Sequence, residues 1–244
     1  MFLQYSAVSV GRAMNSHTST EYDELMARAH KLVVQMGERV RRQVEDAVQS
    51  LSSGSPALIN QILRHEAVVN SLERELDELA GQIIARRQPA AGDLRFVLAV
   101  ANATTDLERV GDEAKKIALQ ARKMFADGRP ARPRNLEVRR MAAIVQDMLR
   151  AAIGALETLE PRAAVALARR DEELDLAFQG VLRQLISFMI EDPRTITACL
   201  DMLFVAKSLE RIGDHAVNVS EHIVYAVTGR DVRHATAEEK SVIP

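Results

Sequence analysis

The sequence predicts an all-α protein made of two tandem, internally duplicated three-helix bundles, with six long antiparallel helices in total. Six long segments place apolar residues at steps of three and four, which is the pattern of amphipathic helices. Aromatic residues make up only 4% of the chain, Trp is absent, and Ala, Leu, Arg and Glu recur, a composition that favours helices over sheets. A short acidic signature occurs once in each half of the 244 residues, which indicates a duplication.

The first half, residues 20–127, is predicted to form one three-helix repeat. A Ser-Ser-Gly-Ser sequence ends its first helix, and Pro56 starts the second at a position where proline is favoured. Pro89 stops the second helix, and Asp93 is a good N-cap for the third. The predicted helices cover residues 20–51, 56–88 and 93–126.

The second half, residues 135–229, repeats this plan. Asn135 is a suitable N-cap for its first helix, Pro161 begins the second, and Gly229 supplies a stop after the third. The predicted helices cover residues 135–159, 161–190 and 193–227. Because helices this long are joined by short turns, they should pack as antiparallel neighbours.

Three segments fall outside the predicted repeats. Residues 128–134 are rich in Pro and Arg and cannot continue a helix, so they are predicted to be a linker. Residues 1–19 fit no helix pattern and are predicted to be a disordered start. Residues 230–244 are predicted to form a C-terminal tail.

The two signatures carry paired carboxylates. Glu108 and Asp112 stand four residues apart in the first signature, as do Glu210 and Asp214 in the second. On a helix this spacing stacks both carboxylates on one face, where like charges cost a few tenths of a kcal/mol. Because the same unfavourable arrangement occurs twice, we expect a cation to offset it.

A glycine also lies inside each signature. Gly111 and Gly213 are predicted to be mid-helix, where glycine costs about 1 kcal/mol relative to alanine. A usual reason for such a glycine is the close approach of a neighbouring helix or a ligand. The sequence therefore predicts tight contacts at both positions.

A second set of acids lies on the helix that precedes each signature helix. Glu73 and Asp77 in the first half correspond, at a constant offset, to Asp171 and Asp175 in the second. Antiparallel packing would bring each pair towards its signature pair, giving four carboxylates in each half. Such sets resemble di-iron and di-manganese ligands, although the Glu-x-x-His elements of those proteins are absent. Iron, Mn²⁺ or Mg²⁺ suits these oxygen ligands better than structural Zn²⁺, but the identity of the divalent or multinuclear metal stays open.

On a helical wheel at about 100° per residue, the signature acids lie on the flanks of their helices and away from the core. In the second half they are predicted to share a polar ridge with Asn218 and Glu221, suited to a surface or groove site. The alternative is a solvated acidic face that Arg109 and Arg211 neutralise. One copy would favour that alternative, whereas two copies favour a cation site. His215 adjoins the second signature but is not assigned to the site.

Composition argues against several other functions. A net charge of −2 provides no field for nucleic acid, and a single cysteine, Cys199, excludes both an internal disulfide and a zinc site of several thiolates. No apolar run approaches the roughly 20 residues of a membrane span, so a cytoplasmic protein without direct membrane insertion is expected. An enzyme is not expected either, because the chain has acids without a paired nucleophile and lacks a phosphate-binding glycine loop.

Four motifs in order give the chain a family resemblance. They are Arg-Gln-Pro at residues 87–89 followed by Gly-Asp-Leu-Arg at 92–95, Leu-Glu-Arg-Val-Gly-Asp at 107–112, Leu-Glu-Arg-Ile-Gly-Asp-His-Ala-Val-Asn at 209–218, and Tyr-Ala-Val-Thr-Gly at 225–229. In these motifs the sequence resembles the PhoU family of regulators of bacterial phosphate uptake, from about residue 20 to 234. The resemblance implies two three-helix bundles whose Glu-x-x-x-Asp motifs bind metal.

The resemblance also implies a regulatory role. It suggests a protein that represses the phosphate-starvation response by linking the ATPase subunit of the high-affinity phosphate ABC transporter to a phosphate-sensing histidine kinase. Such a protein would act as a homodimer, at the inner face of the membrane through its partners. A metal-independent helical adaptor is the alternative that stays open, because six amphipathic helices can hold partners without any ion.

Overall fold

The computed structural model describes residues 20–126, 136–233 and 235, and every regular element within them is helical. A single 3₁₀ turn, Pro193–Thr195, precedes the last helix. The long helices are α1 (Thr20–Ser53), α2 (Pro56–Arg87), α3 (Ala91–Met124), α4 (Leu136–Thr158), α5 (Ala163–Glu191) and α6 (Ile196–Thr228). The predicted fold class is confirmed. Within the described residues, none of the helices is long and apolar enough to cross a membrane.

The helix ends agree with the prediction to within a few residues, with one clear error. Asp93 is not the N-cap of α3, because Ala90 takes that position and Asp93 lies in the first turn. There it faces the Tyr22 hydroxyl on α1; burial, together with the charge and hydrogen bond of Asp93, raises the pKa of Tyr22 to about 12. The predicted cap Asn135, the linker at 128–134, the start at 1–19 and most of the tail at 230–244 lie outside the described residues.

Local chemistry explains where the helices begin and end. The Ser55 side chain accepts a hydrogen bond from the Leu58 amide, and Pro56 occupies the first helical turn of α2, where its missing N–H costs nothing. At the other end of the chain, Gly229 has a φ of 75° and ends α6 in the left-handed conformation that glycine tolerates best.

The two repeats share one continuous core rather than standing apart. In each repeat three helices pack around buried apolar side chains, and between repeats α3 packs along α6 while α1 packs on α4. Met36 and Met148 are both fully buried in this common core. The ring of His30 on α1 forms a hydrogen bond of 2.8 Å with the Leu156 carbonyl on α4. The signature helices α3 and α6 therefore meet at the centre of the molecule.

The two signature glycines face different surroundings. A Cβ atom at Gly213 would collide with the Cδ2 atom of Leu174 on α5, a side chain that is fully buried. A Cβ atom at Gly111 would lie 3.5 Å from Oε1 of Gln43 and 3.7 Å from Val69, which is ordinary van der Waals contact. The predicted close approach is thus tight in the second repeat and relaxed in the first.

This difference predicts opposite effects of alanine at the two glycines. Gly213→Ala should lower the free energy of unfolding by about 1–2 kcal/mol, since overpacking costs about 1–3 kcal/mol and the gain in helix propensity returns at most about 1 kcal/mol. Gly111→Ala should be neutral or stabilising by up to about 1 kcal/mol. Chemical denaturation of both variants measures this, and equal destabilisation at both sites would contradict the packing described.

Candidate metal centre

The first acidic group consists of Glu73 and Asp77 on α2 with Glu108 and Asp112 on α3. Antiparallel packing brings the four carboxylates close enough to affect one another. Burial and the charges of Asp112 and Glu73 raise the pKa of Glu108, and burial with Asp77 and Asp112 raises that of Glu73. The structure therefore brings together the four acids that the sequence paired.

The second acidic group consists of Asp171 and Asp175 on α5 with Glu210 and Asp214 on α6. Burial and the charge of Glu210 raise the pKa of Asp214, and Asp175 adds to the effect. Lys207 opposes it, because its Nζ atom donates to both carboxylate oxygens of Glu210, at 2.7 and 2.6 Å. Asp175, Glu210 and Asp214 therefore lie close together, as the corresponding acids of the first group do, and Lys207 places a cation beside them.

The acids of both groups lie off the apolar core, as the helical wheel predicted. Five are half-buried, namely Glu73, Glu108, Asp112, Asp171 and Glu210, whereas Asp77, Asp175 and Asp214 are exposed. Each group thus combines partial desolvation, which strengthens electrostatic attraction, with access for an ion from solvent.

The chemistry of these groups fits a hard divalent cation. Carboxylate oxygens are the ligands that Mg²⁺, Mn²⁺ and iron accept. The pKa values of Glu73, Glu108 and Asp214 are raised first by burial and then by the negative charge of neighbouring carboxylates. In the described residues, no three side chains of the His, Cys, Asp or Glu type converge closely enough to hold an ion as they stand. Binding would therefore require side-chain rotation within each group.

A buried polar cluster between the repeats was missed at the sequence level. Asp106 on α3 is only 6% exposed, and its carboxylate accepts hydrogen bonds from three side chains of α6. The donors are Nδ1 of His215 at 2.8 Å, Nε2 of His222 at 2.9 Å and Nδ2 of Asn218 at 3.2 Å. Burial opposes ionisation of Asp106, but these hydrogen bonds outweigh it and hold the pKa of Asp106 well below its ordinary value.

Of the two forms predicted for the polar ridge, a surface site and a groove site, the structure excludes an open surface for Asn218 and Glu221. Asn218 is half-buried against Asp106, and Glu221 is only 5% exposed, so neither lies on an open surface with the signature acids. The sequence did contain a signal, because His215, Asn218 and His222 lie at steps of three and four on one helical face. Their partner could not be identified without knowing that α3 covers that face.

A pocket opens beside the cluster, between α3 and α6. Its volume is about 360 Å³, and its lining comes from both signatures: Arg109, Asp112, Glu113 and Lys116 of α3 with Arg211, Asp214 and His215 of α6. Glu113 is buried and accepts from Nζ of Lys116 at 2.8 Å and from Nη1 of Arg211 at 3.3 Å. One acid of each acidic group therefore reaches the same pocket.

The Asp106 cluster predicts a large effect of a single substitution. Asp106→Ala should lower the free energy of unfolding by about 2–4 kcal/mol, because it leaves three partly buried donors without their acceptor. The lowered pKa of Asp106 means that its contribution is present above the ordinary carboxyl pKa and is lost as the pH falls below it. Thermal or chemical unfolding at pH 7 and below about pH 4 measures both effects.

The matched control for this prediction is Asp147→Ala. Asp147 is exposed on α4 and pairs only with Arg150, one turn away, at 2.7 Å. Its loss should change stability by less than about 0.5 kcal/mol. If Asp106→Ala is as mild as Asp147→Ala, the cluster does not join the repeats energetically.

Comparison with known proteins gives matches along most of the chain. The family model for the PhoU domain matches twice, over residues 33–121 and 138–223. The phosphate-specific transport system accessory protein PhoU homolog of Pseudomonas putida is 38% identical over 222 residues, covering 91% of this chain and 86% of the relative. The phosphate-specific transport system accessory protein PhoU of Escherichia coli K12 is 34% identical over 226 residues, covering 93% of each chain.

Solved structures agree with these matches. The crystal structure of PhoU from Pseudomonas aeruginosa is similar with a TM-score of 0.82 and 37% identity, covering 86% of this chain and all (100%) of that one. The phosphate transport system regulatory protein PhoU from Streptococcus pneumoniae has a TM-score of 0.78 at 23% identity, which shows a common fold alone. The duplicated three-helix repeat, its two acidic signatures and these similarities show that the chain belongs to the PhoU family.

Proposed function

We propose that this chain is a metal-binding accessory protein of a phosphate transport system that keeps phosphate-starvation genes off when phosphate is plentiful. The metal-binding part rests on one observation. Each repeat has an acidic group on its second and third helices. The transport part is supported by the relatives from Pseudomonas putida and Escherichia coli, which are phosphate-specific transport system accessory proteins by name.

The proposed mechanism works by contact rather than by catalysis. We infer that the chain acts as a homodimer that couples the ATPase subunit of the phosphate ABC transporter to a phosphate-sensing histidine kinase, and thereby modulates phosphate uptake and signalling at the inner face of the membrane. Exposed apolar side chains on the two helices that meet at the 3₁₀ turn offer a contact surface of the kind that partners bury. They include Ile186, Ile190, Leu200 and Phe204, of which Ile190 is 76% exposed and Phe204 59% exposed.

A metal-independent helical adaptor is the second candidate. It is favoured by the absence, among the described residues, of three ligating side chains that already converge on one point. The two candidates differ in a measurable property. A metal-dependent regulator should gain stability when metal binds its folded state, whereas a plain adaptor should not.

The metal-binding part predicts that replacing the signature acids removes metal. In a variant with Glu108→Ala, Asp112→Ala, Glu210→Ala and Asp214→Ala, elemental analysis should find little of the iron, Mn²⁺, Mg²⁺ or Zn²⁺ that the natural chain carries when purified without a metal-chelating tag. The fold should survive, since substitutions off the core usually change stability by less than about 0.5 kcal/mol each. The variant should also lose the metal-induced rise in melting temperature.

A matched control replaces an equal number of exposed acids elsewhere on the surface. Suitable positions are Glu24, Asp147, Glu157 and Glu191. The control should keep its bound metal. Equal metal content in the signature variant and the control would contradict the assignment and favour the adaptor.

The regulatory part predicts a phenotype. A strain that lacks this chain should express phosphate-starvation genes in phosphate-rich medium, and the intact chain supplied in trans should silence them. A reporter for a phosphate-regulated promoter measures this. Complementation by the four-acid variant would mean that signalling does not need the metal, and full repression in the deletion strain itself would remove the regulatory proposal.

A further inference from the structure

The pocket between α3 and α6 has the composition of a site for a small anion. Besides its acids, it presents the guanidinium groups of Arg109 and Arg211 and the ammonium group of Lys116. Planar guanidinium groups match the oxygen geometry of tetrahedral oxyanions and bind them through paired, charge-assisted hydrogen bonds. A volume of about 360 Å³ leaves room for such an anion with part of its water shell.

The two arginines are related by the duplication. Each follows the glutamate of its signature, so the packing of α3 on α6 brings equivalent guanidinium groups to one pocket from opposite sides. Arg109 forms no hydrogen bond or ion pair with the rest of the described chain. Its positive charge only lowers the pKa of Glu108, which other effects raise. Arg211 is about half exposed, at 51% of its side chain, and has one contact of 3.3 Å with Glu113. Both groups can therefore turn towards a ligand.

The charges of the pocket cancel as long as the acidic groups are free of metal. Three cations, Arg109, Lys116 and Arg211, face three carboxylates, Asp112, Glu113 and Asp214, which gives a net charge of zero. Asp112 and Asp214, however, are also members of the first and second acidic groups. A divalent cation in each group would offset two of its negative charges, so the field in the pocket would become less negative and more favourable to an anion.

We propose that this pocket binds a tetrahedral oxyanion of the phosphate type between Arg109 and Arg211, and that it does so once both acidic groups hold divalent cations. This inference rests on the proposed metal binding. It adds a class of ligand, the tetrahedral oxyanions, and a condition for binding, which is that both acidic groups hold a cation. The two repeats would then respond jointly, because the anion contacts one arginine of each repeat and both metal-bound acidic groups flank it.

The test is equilibrium dialysis of the full chain with radiolabelled inorganic phosphate, with Mn²⁺ present or removed by a chelator. Bound metal is measured by elemental analysis in the same samples. We expect about one phosphate per chain with Mn²⁺ and affinity at least about tenfold weaker without it. Competition by unlabelled sulfate and by glycerol 3-phosphate distinguishes free phosphate from other oxyanions and from phosphate esters.

Two variants assign the binding to this pocket. Arg109→Gln should weaken phosphate binding at least about tenfold, the loss expected for a charge-assisted contact, while leaving bound Mn²⁺ unchanged. Arg122→Gln is the control, because Arg122 is also an exposed arginine of α3 but does not line the pocket. Equal phosphate affinity in these two variants would overturn the assignment.

A further variant keeps the anion site testable if the proposed metal binding fails. Asp112→Asn together with Asp214→Asn removes two negative charges and imitates their neutralisation, so this variant should bind phosphate without any metal. Phosphate binding in the double variant but no Mn²⁺ in the natural chain would support the pocket and refute the metal centre. Mn²⁺ binding in the natural chain with no phosphate in either protein would overturn the pocket alone.

Discussion

The contact between α3 and α6 is the interaction on which the arrangement of this protein depends. It places the Asp106 carboxylate in a buried position, where an unpaired charge would be costly, and offsets that cost with donors from His215, His222 and Asn218. Because these donors lie on successive turns of α6, sliding the helices past each other would break several hydrogen bonds at once. The two repeats are therefore held in one register, and the two signatures are held beside one pocket.

In the acidic groups, unlike the Asp106 cluster, carboxylates face other carboxylates and repel one another. The fold brings carboxylates together, and burial followed by their mutual repulsion raises the pKa values of Glu73, Glu108 and Asp214. Partial exposure keeps the repulsion small, since water screens charges near the surface. A divalent cation bound there, as proposed, would turn several unfavourable pairs into favourable ones. The proposed metal binding would stabilise the folded state for this reason.

Periodicity alone predicted the helices, because a buried stripe on each one repeats every three or four residues. The spacing of the signatures also predicted which acids share a face, and antiparallel packing then brought the acids of α2 to those of α3. The Asp106 cluster could not be predicted in this way. A helical wheel shows which residues are polar, but it does not show that a helix from another repeat covers Asn218. Asp93 was misplaced for a related reason, since its partner Tyr22 lies on a different helix.

The two repeats have the same arrangement of helices but differ in some side chains. The differences lie at the contact between the repeats and beside the acidic groups. Asp106 has Ser208 at the corresponding signature position, so the second repeat has no carboxylate equivalent to Asp106. Lys207 occupies both oxygens of Glu210, whereas in the first repeat Lys115 pairs with Glu66, outside the acidic group. An ion entering the second group must displace an ammonium from one of its ligands, and an ion entering the first need not. The first repeat therefore offers the less compensated group, and the second begins from a state in which the protein supplies part of the positive charge itself.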